Sequence, residues 1–207
     1  MLDLYCERLG PGLAAEPLNT LSNAAFLFAA WLAWRRHGTR TDVRALATML
    51  AAIGLGSTLF HMLATTAAQL CDVVPIVLFE LTYLWLYLRR VAALQVTTAV
   101  AWLAVFGLTL ITAGRTPALF NGSLGYVPAA LALIALGVLH LRRDDATRMW
   151  LLAASALFLL SLTARTFDLA LCPRWPHGTH FLWHSLNAVV LYLLIAAYAR
   201  RAELLAR

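Results

Sequence analysis

The stretch Gly54-Leu55-Gly56-Ser57-Thr58-Leu59-Phe60-His61 is followed eleven residues later by Asp72. A histidine, a serine one helical turn before it and a carboxylate all lie inside apolar sequence. Polar groups without partners are costly in hydrocarbon, so this cluster indicates a functional site. Far downstream, His180-Phe181-Leu182-Trp183-His184 begins the last apolar run. In a helix this i, i+4 pair lies on one face, with Cβ atoms about 5 to 6 Å apart, close enough to share a cation.

The composition around these stretches is that of a membrane protein. The chain has 207 residues, of which 62% are hydrophobic and only 13% are charged, and its mean hydropathy is +0.76. Apolar runs of about twenty residues predict membrane-spanning helices. We find seven such runs, at about 19–35, 45–63, 68–88, 94–113, 124–141, 149–170 and 179–199. We therefore predict an all-α bundle of seven transmembrane helices, forming a single domain over 1–207 with a short outer segment, 1–18.

The basic residues predict how this bundle is oriented. The net charge is +6, and all sixteen basic residues are arginine, clustered in short loops. Such clusters are typical of positive-inside topology rather than of nucleic-acid binding. Twelve of them fall on one side: Arg35, Arg36, Arg40, Arg44, Arg89, Arg90, Arg142, Arg143, Arg148, Arg200, Arg201 and Arg207. Arg8, Arg115 and Arg174 fall on the other side, and Arg165 lies inside a predicted helix. We therefore expect the C-terminus in the cytoplasm and the N-terminus outside.

This topology brings the polar cluster together at the outer face. The second predicted helix runs outward and ends near His61, whereas the third and seventh run inward from about Asp72 and His180. All three positions therefore lie at similar depth. Ser57 lies about 6 Å deeper than His61, because a helix rises 1.5 Å per residue. The sequence thus predicts a recessed pocket and not a surface patch.

The residue types in this pocket match a catalytic zinc site. Three imidazoles and one open position form a common zinc shell, and His61, His180 and His184 fit that count. Zinc lowers the pKa of a bound water to about 7, and Asp72 is the candidate general base that takes the proton. Ser57 could donate a hydrogen bond to the oxyanion of a tetrahedral intermediate or to the bound water. The set predicts metal-assisted hydrolysis of a carbonyl derivative.

The other histidines have different expectations. A histidine pair at i and i+4 also occurs in plain helix packing or helix-helix hydrogen bonding. His177 lies three residues before His180 and could replace a ligand or hydrogen-bond to one, although its flanking proline and glycine favour a loop. His37 and His140 lie on the arginine-rich side, where we expect them to be solvated.

Further polar residues lie within or beside the apolar runs. Three small ones begin the first predicted helix at the outer level: Asn19, Ser22 and Asn23. They either cap and pack that helix or contact the site directly. Glu80 lies two turns deeper than the pocket, where a carboxylate must be protonated or paired. Arg165 or Asp168 could be its partner.

Five blocks of sequence resemble the alkaline ceramidases. They are Tyr5-Cys6-Glu7-Arg8, Ala15-Glu16-Pro17-Leu18-Asn19-Thr20-Leu21-Ser22-Asn23, Gly54-x-Gly-Ser-x-x-Phe-His61, Gln69-x-x-Asp72-x-x-Pro75 and His180-x-x-Trp-His184. That family is part of a superfamily of seven-helix zinc hydrolases and receptors that includes the adiponectin and progestin receptors. The resemblance spans residues 3 to about 187. It implies zinc on the three histidines, with Ser57 and Asp72 at the catalytic water, and hydrolysis of an N-acyl sphingoid lipid to a fatty acid and a long-chain amine.

The same resemblance implies a calcium site and a disulfide. Animal members bind calcium through their N-terminal segment, and here Asp3, Glu7 and Glu16 could supply oxygen ligands. The pattern departs from theirs, because Leu9 stands where an asparagine is expected and the stretch to Glu16 is shorter. These acids could instead cap the first helix. The family also has a cysteine pair comparable to Cys6 and Cys172, which lie on the outer side where oxidation is allowed.

We therefore predict a zinc-dependent amidase that cleaves ceramide or a related N-acyl membrane lipid, in a bacterial inner membrane with its site towards the periplasm. No nucleic acid is expected as a partner. The alternative is a non-catalytic receptor or regulatory protein with a structural zinc. A transporter is disfavoured, because no ladder of polar residues continues to the cytoplasmic side.

Overall fold

A computed structural model describes residues 2–115, 119–143 and 145–205, and all regular secondary structure within them is helical. Arg207, counted above in the orientation, lies outside the described residues. The helices are α1 (Pro17–Ser22), α2 (Ala24–His37), α3 (Thr41–Leu63), α4 (Thr66–Leu86), α5 (Val96–Gly114), α6 (Val127–Arg142), α7 (Arg148–Leu171) and α8 (His180–Leu205). A π-helical turn, Tyr87–Val91, extends α4, and a 3-10 segment, Leu119–Tyr126, precedes α6.

Six helical regions in the described part of the chain are long and apolar enough to cross a membrane. They correspond to the predicted runs from 45–63 onward and fit an integral membrane protein. The first predicted run, 19–35, is divided at Asn23 between α1 and α2. Because α2 has 14 residues, it is only about 21 Å long, less than a typical hydrocarbon core. The all-helical fold is confirmed, whereas the seventh span and the orientation of the termini stay predictions.

The helices that carry the predicted ligands lie in the core of the bundle. In the most apolar part of α3 and of α8, half of the residues are buried inside the bundle, whereas in α5 only 6% are. Helices α2, α3 and α7 pack against α8, while α5 lies at the periphery. The metal-ligand candidates are therefore surrounded by protein, and α5 presents apolar side chains outward.

Two glycines bring the neighbouring helices close to α3. A Cβ atom on Gly56 would lie 1.9 Å from the backbone oxygen of Cys71, and one on Gly54 would lie 2.9 Å from the Cβ of Phe26. Only glycine permits these approaches, since no real Cβ atom tolerates the first distance. The Gly-x-Gly-Ser motif thus packs α3 against α2 on one side and against α4 on the other, next to Asp72.

The segment 2–16, which we call the N-terminal strap, folds back over the end of the bundle at which α3 terminates. Helix α3 ends at Leu63, and Ala64 reverses the chain with a left-handed φ of 47°. The backbone N–H of Leu2 donates to the carbonyl oxygen of Ala64 at 2.7 Å. Tyr5 is buried against Phe60 beside this turn. The strap is therefore packed on the helix that carries the first candidate ligand.

We call the opposite end, where α2, α4, α6 and α8 terminate, the arginine end. Its buried carboxylates are paired with arginines: Asp42 with Arg40 and Arg90, at 2.9 and 3.2 Å, and Asp145 with Arg201, at 3.0 Å. These ion pairs join the start of α3 to the end of α4, and the connection before α7 to the end of α8.

A buried histidine also lies at the arginine end. The prediction that His140 is solvated is wrong, because only 4% of this residue is exposed. Its Nε2 atom bonds to the Tyr87 hydroxyl at 2.8 Å, and its Nδ1 atom bonds to the Thr147 hydroxyl at 3.0 Å. Helix α6 places this ring against the turn that begins α7, where hydrogen bonds replace its contacts with water.

Candidate metal centre

Three buried histidines meet at the end of the bundle that the strap covers, which we call the histidine end. His61 lies in the last turn of α3, and His180 and His184 lie in the first two turns of α8. They are 0%, 2% and 2% exposed. One ring nitrogen from each lies within 4.8 Å of the others. Among the described residues, this is the one cluster of three or more metal-ligating side chains that could hold an ion.

Hydrogen bonds fix which nitrogen of His61 and of His184 is free. The Nδ1 atom of His61 lies 2.5 Å from a carboxylate oxygen of Glu16, which accepts a hydrogen bond from the Nδ1–H group. The Ser22 hydroxyl donates to the backbone oxygen of Asn19, so its oxygen accepts from Nδ1 of His184 at 2.8 Å. In both neutral rings the lone pair is then on Nε2.

These two Nε2 atoms face each other at 3.1 Å. Two lone pairs at this distance repel unless a cation or a proton lies between them. In a tetrahedral zinc shell with Zn–N distances of about 2.0 to 2.1 Å, two nitrogens are about 3.3 to 3.4 Å apart. The Nδ1 atom of His180 is also buried and has no hydrogen-bond partner in the described structure. The donor set and its spacing therefore fit a metal ion and are compatible with zinc.

The two other predicted site residues lie beside the histidines. The Ser57 hydroxyl is 3.5 Å from Nε2 of His184. Asp72 and Ser57 line the same cavity, of about 20 Å³, together with His180 and His184. A carboxylate and a hydroxyl therefore flank the free imidazole nitrogens.

Tyr5 of the strap covers the centre. Its ring stacks on His180 with centroids 3.7 Å apart and lies 5.2 Å from the ring of His61. Its hydroxyl accepts a hydrogen bond from Arg165 at 2.9 Å. Burial raises the pKa of the Tyr5 phenol and outweighs the opposing effect of Arg165, so the phenol is protonated at neutral pH. Tyr5 thus contributes a neutral wall to the site.

Asp168 connects the strap to the start of α8. Its carboxylate accepts from the backbone N–H groups of Cys6, Thr179 and His180, at 2.9, 2.7 and 2.9 Å. Gly178, with φ of +62°, lies against this carboxylate, where a Cβ would be 2.2 Å from an Asp168 oxygen. A disulfide joins Cys6 to Cys172. The helix that carries two of the histidines is thereby held to the strap.

The predicted calcium ligands are not gathered in one place. Both carboxylate oxygens of Glu7 accept backbone N–H groups at the start of α1, at 2.7 and 2.8 Å. Glu16 is bonded to Arg8 and His61, and Asp3 is exposed. Within the described residues the three acids form no metal-binding group. Calcium binding stays a prediction, without the carboxylate cluster that it needs.

Hydrogen bonding also lowers the pKa of Glu16. Burial acts to raise the pKa of this carboxyl, but the bonds from His61, Asn19 and Arg8 outweigh it and hold the pKa below its ordinary value. Glu16 is therefore ionised at neutral pH and fixes the protonated Nδ1 atom of His61.

Two other expectations have definite outcomes. His177 is exposed in the connection before α8 and is not part of the histidine cluster. Neither proposed partner reaches Glu80, since Asp168 is bonded to backbone groups and Arg165 to Tyr5. In the described structure Glu80 has no hydrogen-bond or ion-pair partner.

A larger cavity adjoins the metal centre. It has a volume of about 340 Å³ and shares Tyr5, Ile76, Tyr126 and Arg165 with the small cavity at the histidines. Its remaining wall comes from α4, α5 and the 3-10 segment, and includes Glu80. The space between the peripheral α5 and the core thus leads to the site.

The chain is an all-helical bundle that fits an integral membrane protein, and it gathers three buried histidines, a serine and an aspartate at one end. The ceramidase family model matches residues 9–203, nearly the whole chain. The chain therefore belongs to the ceramidase family, whose members hydrolyse amide bonds. No curated protein matches the sequence significantly.

Proposed function

We propose that this protein is a zinc-dependent amidohydrolase that cleaves the amide bond of ceramide or a related N-acyl lipid within the membrane. The observation that carries the proposal is the pair of facing Nε2 atoms of His61 and His184, 3.1 Å apart, next to Ser57 and Asp72. Membership of the ceramidase family supports the same reaction class. A zinc ion held by the three histidines would supply a Lewis acid and a water of lowered pKa.

The two flanking side chains have complementary roles in this proposal. The Asp72 carboxylate accepts a proton from the attacking water and delivers it to the leaving nitrogen. The Ser57 hydroxyl donates a hydrogen bond to the carbonyl oxygen as negative charge develops there. Water adds to the carbonyl carbon and the carbon–nitrogen bond breaks, which yields a fatty acid and a long-chain amine.

The cavity of about 340 Å³ supports a lipid substrate. Its walls are mostly apolar and it adjoins the site through Tyr5 and Tyr126, so an amide could reach the histidines while hydrocarbon chains stay among apolar side chains. We place the site on the periplasmic side of a bacterial inner membrane, because the arginine clusters lie at the other end of the bundle.

The proposal is tested by following fatty-acid release by mass spectrometry from a panel of ceramides and N-acyl amino lipids. We expect hydrolysis of at least one lipid, its loss with chelator and its recovery with zinc. Asp72→Asn should lower the rate about 100 to 10,000-fold and Ser57→Ala about 100 to 1,000-fold, with zinc still bound. No release from any lipid by zinc-loaded protein, or full activity after zinc removal, would contradict the proposal.

A further inference from the structure

Arg8 is a buried arginine in the N-terminal strap, only 4% exposed. Its Nε atom donates to a carboxylate oxygen of Glu16 at 2.5 Å, and its Nη2 atom donates to the backbone oxygen of His61 at 2.5 Å. A third bond, from Nη1, reaches the backbone oxygen of Gly10 at 3.4 Å. The guanidinium thus contacts both a candidate ligand residue and the carboxylate that orients it.

Glu16 completes this arrangement with its other oxygen. That oxygen accepts from Nδ1 of His61 at 2.5 Å and from the side-chain amide of Asn19 at 3.0 Å. His61 is therefore held at two points: Glu16 accepts a hydrogen bond from its ring, and Arg8 donates one to its backbone oxygen. Because Arg8 and Glu16 also form an ion pair, these contacts belong to one connected pair of side chains, the Arg8–Glu16 pair.

The Arg8–Glu16 pair occupies the place where the family resemblance led us to expect a calcium ion. A calcium ion needs six to eight oxygen ligands, but both oxygens of Glu7 are bonded to backbone N–H groups. The oxygens of Glu16 are bonded to Arg8, Asn19 and His61. The positive charge that Glu16 requires in a buried place is already supplied by the side chain of Arg8.

We infer that the Arg8 guanidinium is the resident cation of the strap and acts as a positioning residue that fixes His61 through Glu16, so that the centre assembles without calcium. This inference rests on the proposed zinc site but not on hydrolysis. Carboxylates bonded to a ligand histidine orient the ring and raise its basicity, and their loss typically costs 10 to 100-fold in metal affinity. A planar guanidinium with fixed N–H directions can bind a carboxylate and a carbonyl at once, which an ammonium group does less well.

The test measures zinc affinity by chelator competition and thermal unfolding in detergent, both without substrate. We expect Arg8→Gln to weaken zinc binding about 10 to 100-fold, with Arg8→Lys recovering part of the loss. Arg174→Gln, at an exposed arginine of the same end, is the matched control and should leave the affinity unchanged. In the wild type, zinc affinity and the melting temperature should be the same in calcium-free buffer and in millimolar calcium.

The possible results separate the two proposals. A wild type that binds no zinc defeats the proposed function. A wild type that binds zinc, with unchanged affinity in Arg8→Gln, defeats the positioning role of Arg8, and a calcium requirement in the wild type defeats its role as the resident cation. If Arg8→Gln does not fold, Arg8→Lys is compared with the wild type by the same competition, and equal affinities would overturn the inference.

Discussion

The histidine end and the arginine end of this bundle both bury imidazoles, yet their chemistry differs. At the arginine end His140 has partners for both ring nitrogens, Tyr87 on one side and Thr147 on the other. At the histidine end only the Nδ1 atoms of His61 and His184 have conventional partners, and their Nε2 atoms face each other. Burial alone therefore does not identify a ligand histidine. The informative feature is a pair of imidazole nitrogens that face each other at 3.1 Å, with the Ser57 hydroxyl farther away, 3.5 Å from one of them.

The two ends also differ in how space is used. The space beside His140 is too narrow to hold a water molecule, whereas a cavity of about 20 Å³ lies beside His184 and adjoins the larger one of about 340 Å³. A closed network stabilises helix ends, and an open one can admit a reactant. Substitutions at matched positions of the two ends should thus separate stability from metal binding.

The largest contrast is expected between His184→Ala and His140→Ala. Loss of His184 removes a proposed ligand, so we expect bound zinc near zero and a rate at least about 1,000-fold lower, because a metal supplies several kcal/mol of transition-state stabilisation. His140→Ala leaves the buried Tyr87 hydroxyl without its partner, while Thr147 keeps its bond to Asp145. This change should cost about 1 to 3 kcal/mol of unfolding free energy, with zinc content unchanged. Metal analysis and thermal unfolding of both variants check this, and zinc loss in His140→Ala would erase the distinction between the ends.

A smaller effect on zinc affinity is expected at Ser22, whose hydroxyl oxygen accepts a hydrogen bond from the Nδ1–H group of His184. Ser22→Ala should weaken zinc affinity about 10 to 100-fold, since outer hydrogen bonds to a ligand histidine have effects of this size. Ser185→Ala is the matched control, because this hydroxyl bonds to the backbone of its own helix. Chelator competition gives both affinities. An unchanged affinity in Ser22→Ala would mean that this bond does not orient the ligand.

The smallest effect concerns acid stability at the arginine end. Burial acts to raise the pKa of Asp145, but hydrogen bonds from Thr147 and His140 outweigh it and hold the pKa below its ordinary value. A carboxyl with a lowered folded-state pKa stabilises the fold above its unfolded pKa of about 3.9, and this stabilisation is lost as the pH falls through the folded pKa. Asp145→Asn should therefore cost about 1 to 3 kcal/mol at pH 7 and progressively less below about pH 4.

Thermal unfolding of the wild type and Asp145→Asn between neutral and acidic pH measures this difference. If the difference in unfolding free energy between the two proteins stays constant across the acid range, the result would contradict the ionised state of Asp145. Zinc content should be equal in both proteins at neutral pH, since Asp145 lies at the end remote from the histidines.

The parts of the structure that could be predicted are those with a local signal. Apolar runs predicted the long helices, and the i, i+4 spacing with the topology predicted that His180 and His184 would meet His61. The burial of His140 has no comparable signal, because it depends on contacts with Tyr87 and Thr147 of other elements.

The roles of the strap residues were harder to predict from sequence. Glu16 was expected either to bind calcium or to cap the first helix, and Arg8 entered only the charge count and one of the family blocks. Their actual partner, His61, lies 45 residues beyond Glu16, so no short spacing connects them. One signal was present: Arg8 is the single basic residue among Asp3, Glu7 and Glu16, and a buried carboxylate requires such a counter-charge.

The disulfide between Cys6 and Cys172 has a consequence for biogenesis. The ribosome makes Cys6 before any of the helices, but it makes Cys172 and His180 only after α7. The strap must therefore remain without these partners until nearly all of the chain has been inserted. Only then can Tyr5 stack on His180 and the cysteines be oxidised. Translation intermediates that lack α8 also lack two of the three proposed ligands, so the proposed metal site could form only after α8 has been made.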